Sequence, residues 1–257
     1  MKLLQRLMGK PKAKAPGPQG VPGPVFDAPI APDTNFFVIG DIHGCLQKLA
    51  DLLMQIEQLE DVPRVIVVGD MVDRGEHSAG VLNLLKRLNG EFGDLVTCLK
   101  GNHESMLLRF IDDPEATGDR WMRNGGLQTL ASYKVNKLQG TTHTDLRDQL
   151  VQAMGIEMIE WLNALPLMWQ SGNVAVVHAG ADPKLPLNAQ ADEILMWGHG
   201  DFQRIDRSDG IWIVHGHTIV RQARSENGRI SIDTGAYATG RLTAAYIRPG
   251  QVSFLSS

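Results

Sequence analysis

GDIHG at 40–44, GDMVDRG at 69–75 and GNHE at 101–104 each follow a short hydrophobic run, and each offers oxygen or imidazole ligands between glycines. HAG at 178–180 and HGHT at 215–218 add His178, His215 and His217 in the same setting. Carboxylate, amide oxygen and imidazole together suit Mn²⁺, Fe or Zn²⁺ rather than Ca²⁺, which prefers oxygen alone. One Asp-x-His is more often a surface loop than a metal site. Five such strand ends are harder to dismiss, because residues that merely terminate strands would vary in type, whereas Asp, Asn and His recur here beside Gly. The set offers more ligands than one ion needs. A single Asp can bridge two ions about 3.5 to 4 Å apart. Two divalent cations would leave residual positive charge after Asp41 and Asp70 are counted. That charge attracts a phosphate dianion and acidifies a bridging water into a hydroxide nucleophile.

Positioning such a set requires strands that end together. Strand-like runs at Phe36–Ile39, Arg64–Val68 and Leu95–Leu99 alternate with helical patterns at Gln47–Leu59 and Ser78–Leu88, a βαβαβ order that predicts a sheet covered by helices. Apolar spacing at Glu104–Ile111, Leu127–Tyr133 and Leu146–Leu162 predicts a helical lobe at about 103–170. Strands return at Val174–Val177, Ile211–Val214, Arg229–Ile232, Leu242–Ile247 and Val252–Leu255, with short connections that suggest a second, more antiparallel sheet packed on the first. In α/β sheets the carboxyl ends of the strands form the ligand crevice. There is no internal repeat.

The 257 residues carry a formal net charge of −4, which gives no footprint for nucleic acid or an anionic membrane. An anionic substrate must therefore be drawn by a local site. Two cysteines, Cys45 and Cys98, are too few for a disulfide framework and suit a reducing, cytoplasmic setting. Cys45 reads as a small buried thiol. MKLLQRLMGKPKAKAP opens with a basic amphipathic stretch that Gln5 and Arg6 interrupt, so it lacks the apolar core of a secretory signal. Residues 1–34 read as a flexible Pro/Gly-rich basic tail and linker, with a membrane-surface or partner-docking role for residues 1–10 as the alternative, and 35–257 as one catalytic domain. No run reaches membrane-spanning length, and a monomer is expected.

GDIHG, GDMVDRG, GNHE, HAG and HGHT, in this order, resemble the phosphoprotein phosphatase branch of the calcineurin-like metallophosphoesterases, over nearly the whole chain from about residue 36. WMRNGGLQTLASY at 121–133 and IDTGAYATGRLTA at 232–244 are similar to bacterial serine/threonine phosphatases of the lambda phage type. The resemblance implies an α/β fold of two mixed β-sheets in a central sandwich flanked by helices. It implies that Asp41, His43 and Asp70 hold one metal and that Asp70 bridges to a second, completed by Asn102, His178 and His217. Two divalent ions are expected, Mn²⁺ foremost, with Fe or Zn²⁺ as alternatives.

The same resemblance makes Arg74 a phosphate clamp, with Asn102 contributing, and His103 the general acid that protonates a departing serine or threonine alkoxide. Asp73 would orient His103; metal ligation by His103 and capping by Asp73 are the bland alternatives. Glu104 reads as a helix-start or salt-bridge residue, and His215 as a strand-end packing residue or one that supports a ligand from behind. Family members carry a second phosphate-binding arginine near a Trp-x-Arg sequence. Here LMWGHGDFQR places His199 at that point and Arg204 five residues on. Arg123 is a further candidate against an exposed structural role, and His77 and His143 are assigned to the surface. The implied activity is hydrolysis of phosphoserine and phosphothreonine in proteins, phosphotyrosine remaining open. The alternative is a diadenosine tetraphosphate hydrolase, a group whose second motif usually lacks the aspartate that Asp73 supplies here. A phosphodiesterase or nuclease would not need the Asp73, His103 and Arg74 set, and a non-catalytic module would not need intact ligands at every motif.

Overall fold

The computed structural model describes residues 26–60, 62–136 and 138–257. The chain runs β1 (Phe36–Ile39), α1 (Leu46–Glu57), β2 (Val65–Val67), α2 (Ser78–Phe92), β3 (Val96–Cys98), then helices α3 (Asn102–Asp112), α4 (Pro114–Trp121), α5 (Leu127–Ser132), α6 (His143–Met154) and α7 (Ile156–Ala164). It continues through β4 (Met168–Ser171), β5 (Val174–Val177), α8 (Asp192–Trp197), β6 (Trp212–His215), β7 (Arg224–Glu226), β8 (Arg229–Ser231), α9 (Ala236–Thr239), β9 (Thr243–Arg248) and β10 (Gln251–Ser256).

Two mixed sheets result, in the orders β10-β9-β1-β2-β3 and β4-β5-β6-β8-β7. The side-chain alternation of β1 explains the layers. Phe36 and Val38 join Ile66, Val176, Val214, Ile230 and Ile247 in a core between the sheets, whereas Phe37 and Ile39 join Leu49, Leu52, Leu82 and Leu85 beneath α1 and α2. A strand apolar on both faces suits a sheet covered on both sides. Ala175, Val177 and Ile213 make a third core with Leu195 and Phe202 on the far face of the second sheet.

Several expectations are corrected. The second sheet is parallel at its centre, where β5, β6 and β8 pair, and antiparallel only at β4 and β7. The strands at Leu242–Ile247 and Val252–Leu255 belong to the first sheet, where β9 pairs antiparallel with β1 and β10 with β9. β1 pairs with β2 along one edge only, so its other edge needed a partner, and hydrophobicity alone cannot say which strand supplies it. Gly155, at φ 78°, divides the Leu146–Leu162 pattern into α6 and α7. The helices from α3 to α7 share the core of α1 and α2 rather than standing apart.

The expected tail ends sooner than residue 34. Phe26 packs edge-on against Trp212 at 5.0 Å, Trp212 Nε1 donates to Ala28 O at 2.9 Å, and Asn173 Nδ2 donates to Pro29 O at 2.8 Å. A composition rich in Pro and Ala hides such anchoring, because the bonds are made by backbone carbonyls. The tail and docking readings for residues 1–25 fall outside the described residues. Among the described residues no helix is long and apolar enough to cross a membrane.

Candidate active site

The loops that follow β1, β2, β3, β5 and β6 meet at one end of the sandwich, and hydrogen bonds fasten them together. Ile42 and His43 donate their N–H groups to Asp70 O at 3.1 and 2.8 Å, and Gly44 N–H donates to Met71 O at 3.0 Å. His43, Asp70, Asp73, Arg74 and His217 all have φ between 43° and 71°, the left-handed region that side-chain-bearing residues seldom adopt. Strain concentrated on five motif residues is the pattern of a functional site. Gly216 allows the closest approach, because a methyl there would overlap the Oδ1 atom of Asp41.

Glu104 holds the loops from beneath. Fully buried, it accepts the N–H groups of Asp70 (2.9 Å), Met71 (2.7 Å), Val72 (3.3 Å) and Gly101 (2.9 Å). Its expected helix-start role is real, since it caps α3, but the same carboxylate also binds the Asp70 loop. Burial, then the nearby Asp70 charge, pushes its carboxyl up to about 7, and the donated N–H groups act against that rise.

Two groups of ligand atoms converge within 4.8 Å: His43, Asp70 and His103, and Asp70, His178 and His217. Asp70 is common to both. His43 Nδ1 faces Val72 O at 2.8 Å and His178 Nδ1 faces Val68 O at 3.1 Å, which assigns the ring proton to Nδ1 and leaves each Nε2 as a lone pair. Burial depresses His43 to about 3 and His178 to about 4, so both imidazoles are neutral, as metal ligation requires. Asn102 Oδ1 sits 2.8 Å from His178 Nε2 and 2.9 Å from His217 Nδ1. Asp41 stands outside both groups but accepts the His217 N–H at 3.0 Å. Burial, then Asp233 and Asp70, pushes its carboxyl well above the usual range. Burial would also raise Asp70, but His178, His103 and His43 hold it low. Asp70, Glu104 and Asp233 are all buried within electrostatic reach of buried Asp41, an arrangement that calls for compensating positive charge. The donor set therefore fits a pair of divalent cations.

Beside this cluster His103 Nδ1 lies 2.7 Å from Asp73 Oδ2, and its Nε2 lies 3.2 Å from Arg74 Nη2 and 3.8 Å from Asp70 Oδ2. Burial lowers the proton affinity of His103, but Asp70 and then Asp73 raise it above the ordinary histidine value. Asp73 also accepts from Trp121 Nε1 at 3.0 Å and from Thr129 Oγ1 at 2.7 Å. Arg74 is fixed through its N–H to Gly125 O at 3.2 Å, and its guanidinium carbon lies 4.7 Å from the Tyr237 ring. That ring is edge-on to His43 at 5.3 Å and 39% exposed, so it stands at the mouth of the site.

Trp121, Thr129 and Tyr237 escape a reading based on ligand types. The first two lie in WMRNGGLQTLASY and the third in IDTGAYATGRLTA, so the signal was present as sequence without an evident chemistry. His215 is buried on Ser231 Oγ at 2.9 Å, the expected packing role. His199 lines a cavity beside His217, whereas Arg204 is exposed, does not line it, and has Asp201 as its electrostatic partner. The structure thus does not bring Arg204 to the cluster. Arg123 and His77 are exposed. His143 is half-buried between Glu115 at 3.6 Å and Asp119 at 3.3 Å rather than free on the surface. Cys45 is half-buried rather than buried, and its thiol faces His43 O at 3.6 Å.

These features make a candidate site for divalent cations, and comparison with known sequences gives the chain its family. Residues 34–229, well over half of the chain, match the calcineurin-like phosphoesterase family. The chain belongs to that family of hydrolases. It is 29% identical over 229 residues to a bis(5'-nucleosyl)-tetraphosphatase of the asymmetrical type from Oceanobacillus iheyensis, across 80% of this chain and 86% of the relative. It is 28% identical over 223 residues to serine/threonine-protein phosphatase 2 of Escherichia coli, across 81% of this chain and 91% of the relative. A crystal structure provisionally described as a diadenosine tetraphosphatase superposes with a TM-score of 0.62 at 22% identity, across 90% of this chain and 99% of that one, which establishes the fold.

Proposed function

We propose that this hydrolase removes phosphate from phosphoserine and phosphothreonine in proteins, in a reducing cytoplasmic setting, with phosphotyrosine as a further substrate. The carrying observation is the buried Asp73 and His103 pair at 2.7 Å. A serine or threonine alkoxide is a far stronger base than the phosphate oxygen released from a nucleotide anhydride. An oriented proton donor is therefore worth most when the leaving group is an alkoxide.

The roles follow from position. Divalent cations held by Asp41, His43, Asp70, Asn102, His178 and His217, Mn²⁺ foremost, would supply positive charge for the phosphate and a lowered pKa for bound water. Arg74 presents a planar fork to the phosphate oxygens, where charge gathers in the transition state. That fork faces His103 Nε2 at 3.2 Å, and two donors cannot share a proton-bearing nitrogen. A phosphate dianion that draws Arg74 toward itself leaves Nε2 open to carry the proton. Asp73 keeps the ring oriented, and Trp121 and Thr129 hold Asp73.

A second reading is asymmetric hydrolysis of dinucleoside tetraphosphates. It is favoured by the likeness to the Oceanobacillus iheyensis relative, and by the rings of Tyr237 and Trp197 beside the two ligand groups, which could take a nucleobase. Steady-state kinetics on metal-loaded protein with phosphoseryl peptide, phosphotyrosyl peptide and diadenosine tetraphosphate decides between them. The first reading expects the peptides to lead in kcat/KM. A lead of orders of magnitude for the nucleotide overturns it.

A further inference from the structure

Between α4, which ends at Trp121, and α5, which starts at Leu127, the chain makes one wide turn at Met122–Gly126, with Gly125 at φ 107°. Wide turns inserted between helical segments often mark functional sites. Residues 121, 125 and 129 all reach the same pair of neighbours, Asp73 and Arg74. Trp121 Nε1 donates to Asp73 Oδ1 and Oδ2 at 3.1 and 3.0 Å, and Thr129 Oγ1 donates to Oδ1 at 2.7 Å and accepts the Asp73 N–H at 2.9 Å. Gly125 O accepts the Arg74 N–H at 3.2 Å. The fit has no slack: a methyl at Gly125 would stand 2.5 Å from Arg74 N and 2.8 Å from its Cγ, and one at Gly126 would stand 2.5 Å from the Trp121 ring.

Asp73 and Arg74 are consecutive and both hold left-handed backbone, at φ 71° and 67°, a conformation that persists only where the surroundings enforce it. The contacts from 121, 125 and 129 supply that enforcement. We infer that residues 121–129 are a single positioning element that sets the phosphate clamp and the proton donor together. Gly125 fixes where Arg74 leaves the backbone. Trp121 and Thr129 fix Asp73 and, through its bond at 2.7 Å, the ring of His103. A shift of the segment would then disturb both functions at once, although none of the three residues is itself a clamp or a donor. If Trp121 merely filled the core, where it stacks on Phe110 at 4.6 Å, its loss would lower stability without altering how phosphate is held. The inference rests on the phosphoprotein reading for what His103 does; the part that concerns Arg74 and phosphate does not need it.

The experiment must read the coupling. The bonds that Trp121→Phe removes end on Asp73, whereas the crowding that Gly125→Ala introduces falls on Arg74. Two quantities are measured on Mn²⁺-loaded wild type and variants. One is the inhibition constant of inorganic phosphate against p-nitrophenyl phosphate, or against whichever phosphoester the protein hydrolyses. The other is the kcat ratio of phosphoserine peptide to p-nitrophenyl phosphate. We expect both effects in each variant: an inhibition constant raised about fivefold, the net worth of about one hydrogen bond, and a ratio lowered about tenfold. Metal content should stay at the wild-type value. Thr129→Val should behave as Trp121→Phe does, while Thr129→Ser keeps the hydroxyl and should stay within about twofold of the wild type on both counts. Trp121→Phe retains a ring in the core, so it tests the idea even if Gly125→Ala does not fold. If no phosphoserine peptide is turned over, the phosphoprotein reading fails, and the inhibition constant in Trp121→Phe decides for the positioning element by itself. An unchanged inhibition constant in Trp121→Phe overturns the inference, as does an unchanged ratio in Gly125→Ala. So does a loss of metal that accounts for both effects, or a Thr129→Ser protein as impaired as Thr129→Val.

Discussion

Asp73 and His103 face each other at 2.7 Å in a setting closed to solvent, and every acceptor position of Asp73 is engaged by His103, Trp121 or Thr129. An aspartate so fully bonded cannot turn to serve a metal. What it can do is hold one imidazole in one orientation, with the opposite nitrogen 3.2 Å from Arg74 Nη2 and 3.8 Å from Asp70 Oδ2. An ion-pair network of this kind either stabilises the fold or serves the reaction, and kinetics can tell which.

His103→Asn should retain both metals yet slow hydrolysis of an alkyl phosphate by about 10²- to 10⁴-fold, the usual worth of a positioned proton donor. An aryl phosphate, whose leaving group hardly needs a proton, should slow by about tenfold or less on the same grounds. Measuring kcat for phosphoserine peptide and p-nitrophenyl phosphate in parallel gives the ratio. Equal slowing of the two would remove the general-acid role and favour a purely electrostatic or ligand role for His103.

Asp70 is the one side chain shared by both ligand groups. Asp70→Asn should therefore lower the occupancy of both sites, whereas His43→Ala and His178→Ala should each affect mainly one. Metal analysis of protein equilibrated at limiting Mn²⁺ tests this, with about two ions per chain expected for the wild type. Retention of two ions by Asp70→Asn would show that the bridging position belongs to another group.

Glu104→Gln probes the scaffold rather than the chemistry. Four backbone N–H groups point at this carboxylate, and an amide offers them one oxygen and a conflicting NH₂. The loss should be about 1–3 kcal/mol, seen as a fall in Tm, because buried donors are left without acceptors. Metal affinity should weaken alongside, since the Asp70 loop would lose its anchor. An unchanged Tm would mean that the loop is held by its other bonds.

The sequence exposes this site unevenly. Asp41, His43, Asp70, Asn102, His178 and His217 can be singled out as candidates because hard-metal ligands are few in kind and stand at strand ends beside glycine, but choosing His217 over His215 took the family resemblance. The first three strands and their helices are legible for a similar reason, since β1 to β3 pair in sequence order. The return of β9 to β1 is not, because pairing depends on which edge is vacant and not on local hydrophobicity. The reading of Glu104 as a helix-start or salt-bridge residue reaches its cap on α3 but not its further bonds to the Asp70 loop, which are made by backbone atoms that carry no residue code. Trp121, Thr129 and Tyr237 act by touching other functional residues, and such second contacts have no spacing rule.

Tyr237 yields the last prediction. Its ring lies beside both the Arg74 guanidinium, at 4.7 Å, and the His43 imidazole, at 5.3 Å, so it adjoins the proposed phosphate clamp and one candidate ligand group together. A guanidinium over an aromatic face gains about 0.5–1 kcal/mol at an exposed site and about 2 when desolvated. Removing the ring in Tyr237→Ala should free Arg74 to wander before substrate arrives, so the cost should appear in KM and in the inhibition constant of inorganic phosphate, by about 2- to 30-fold on that energy scale. Tyr237→Phe keeps the ring face and should stay within about twofold of the wild type. If the hydroxyl mattered instead, both variants would be impaired alike, and if Tyr237 served only to pack His43, kcat and metal content would fall while KM held.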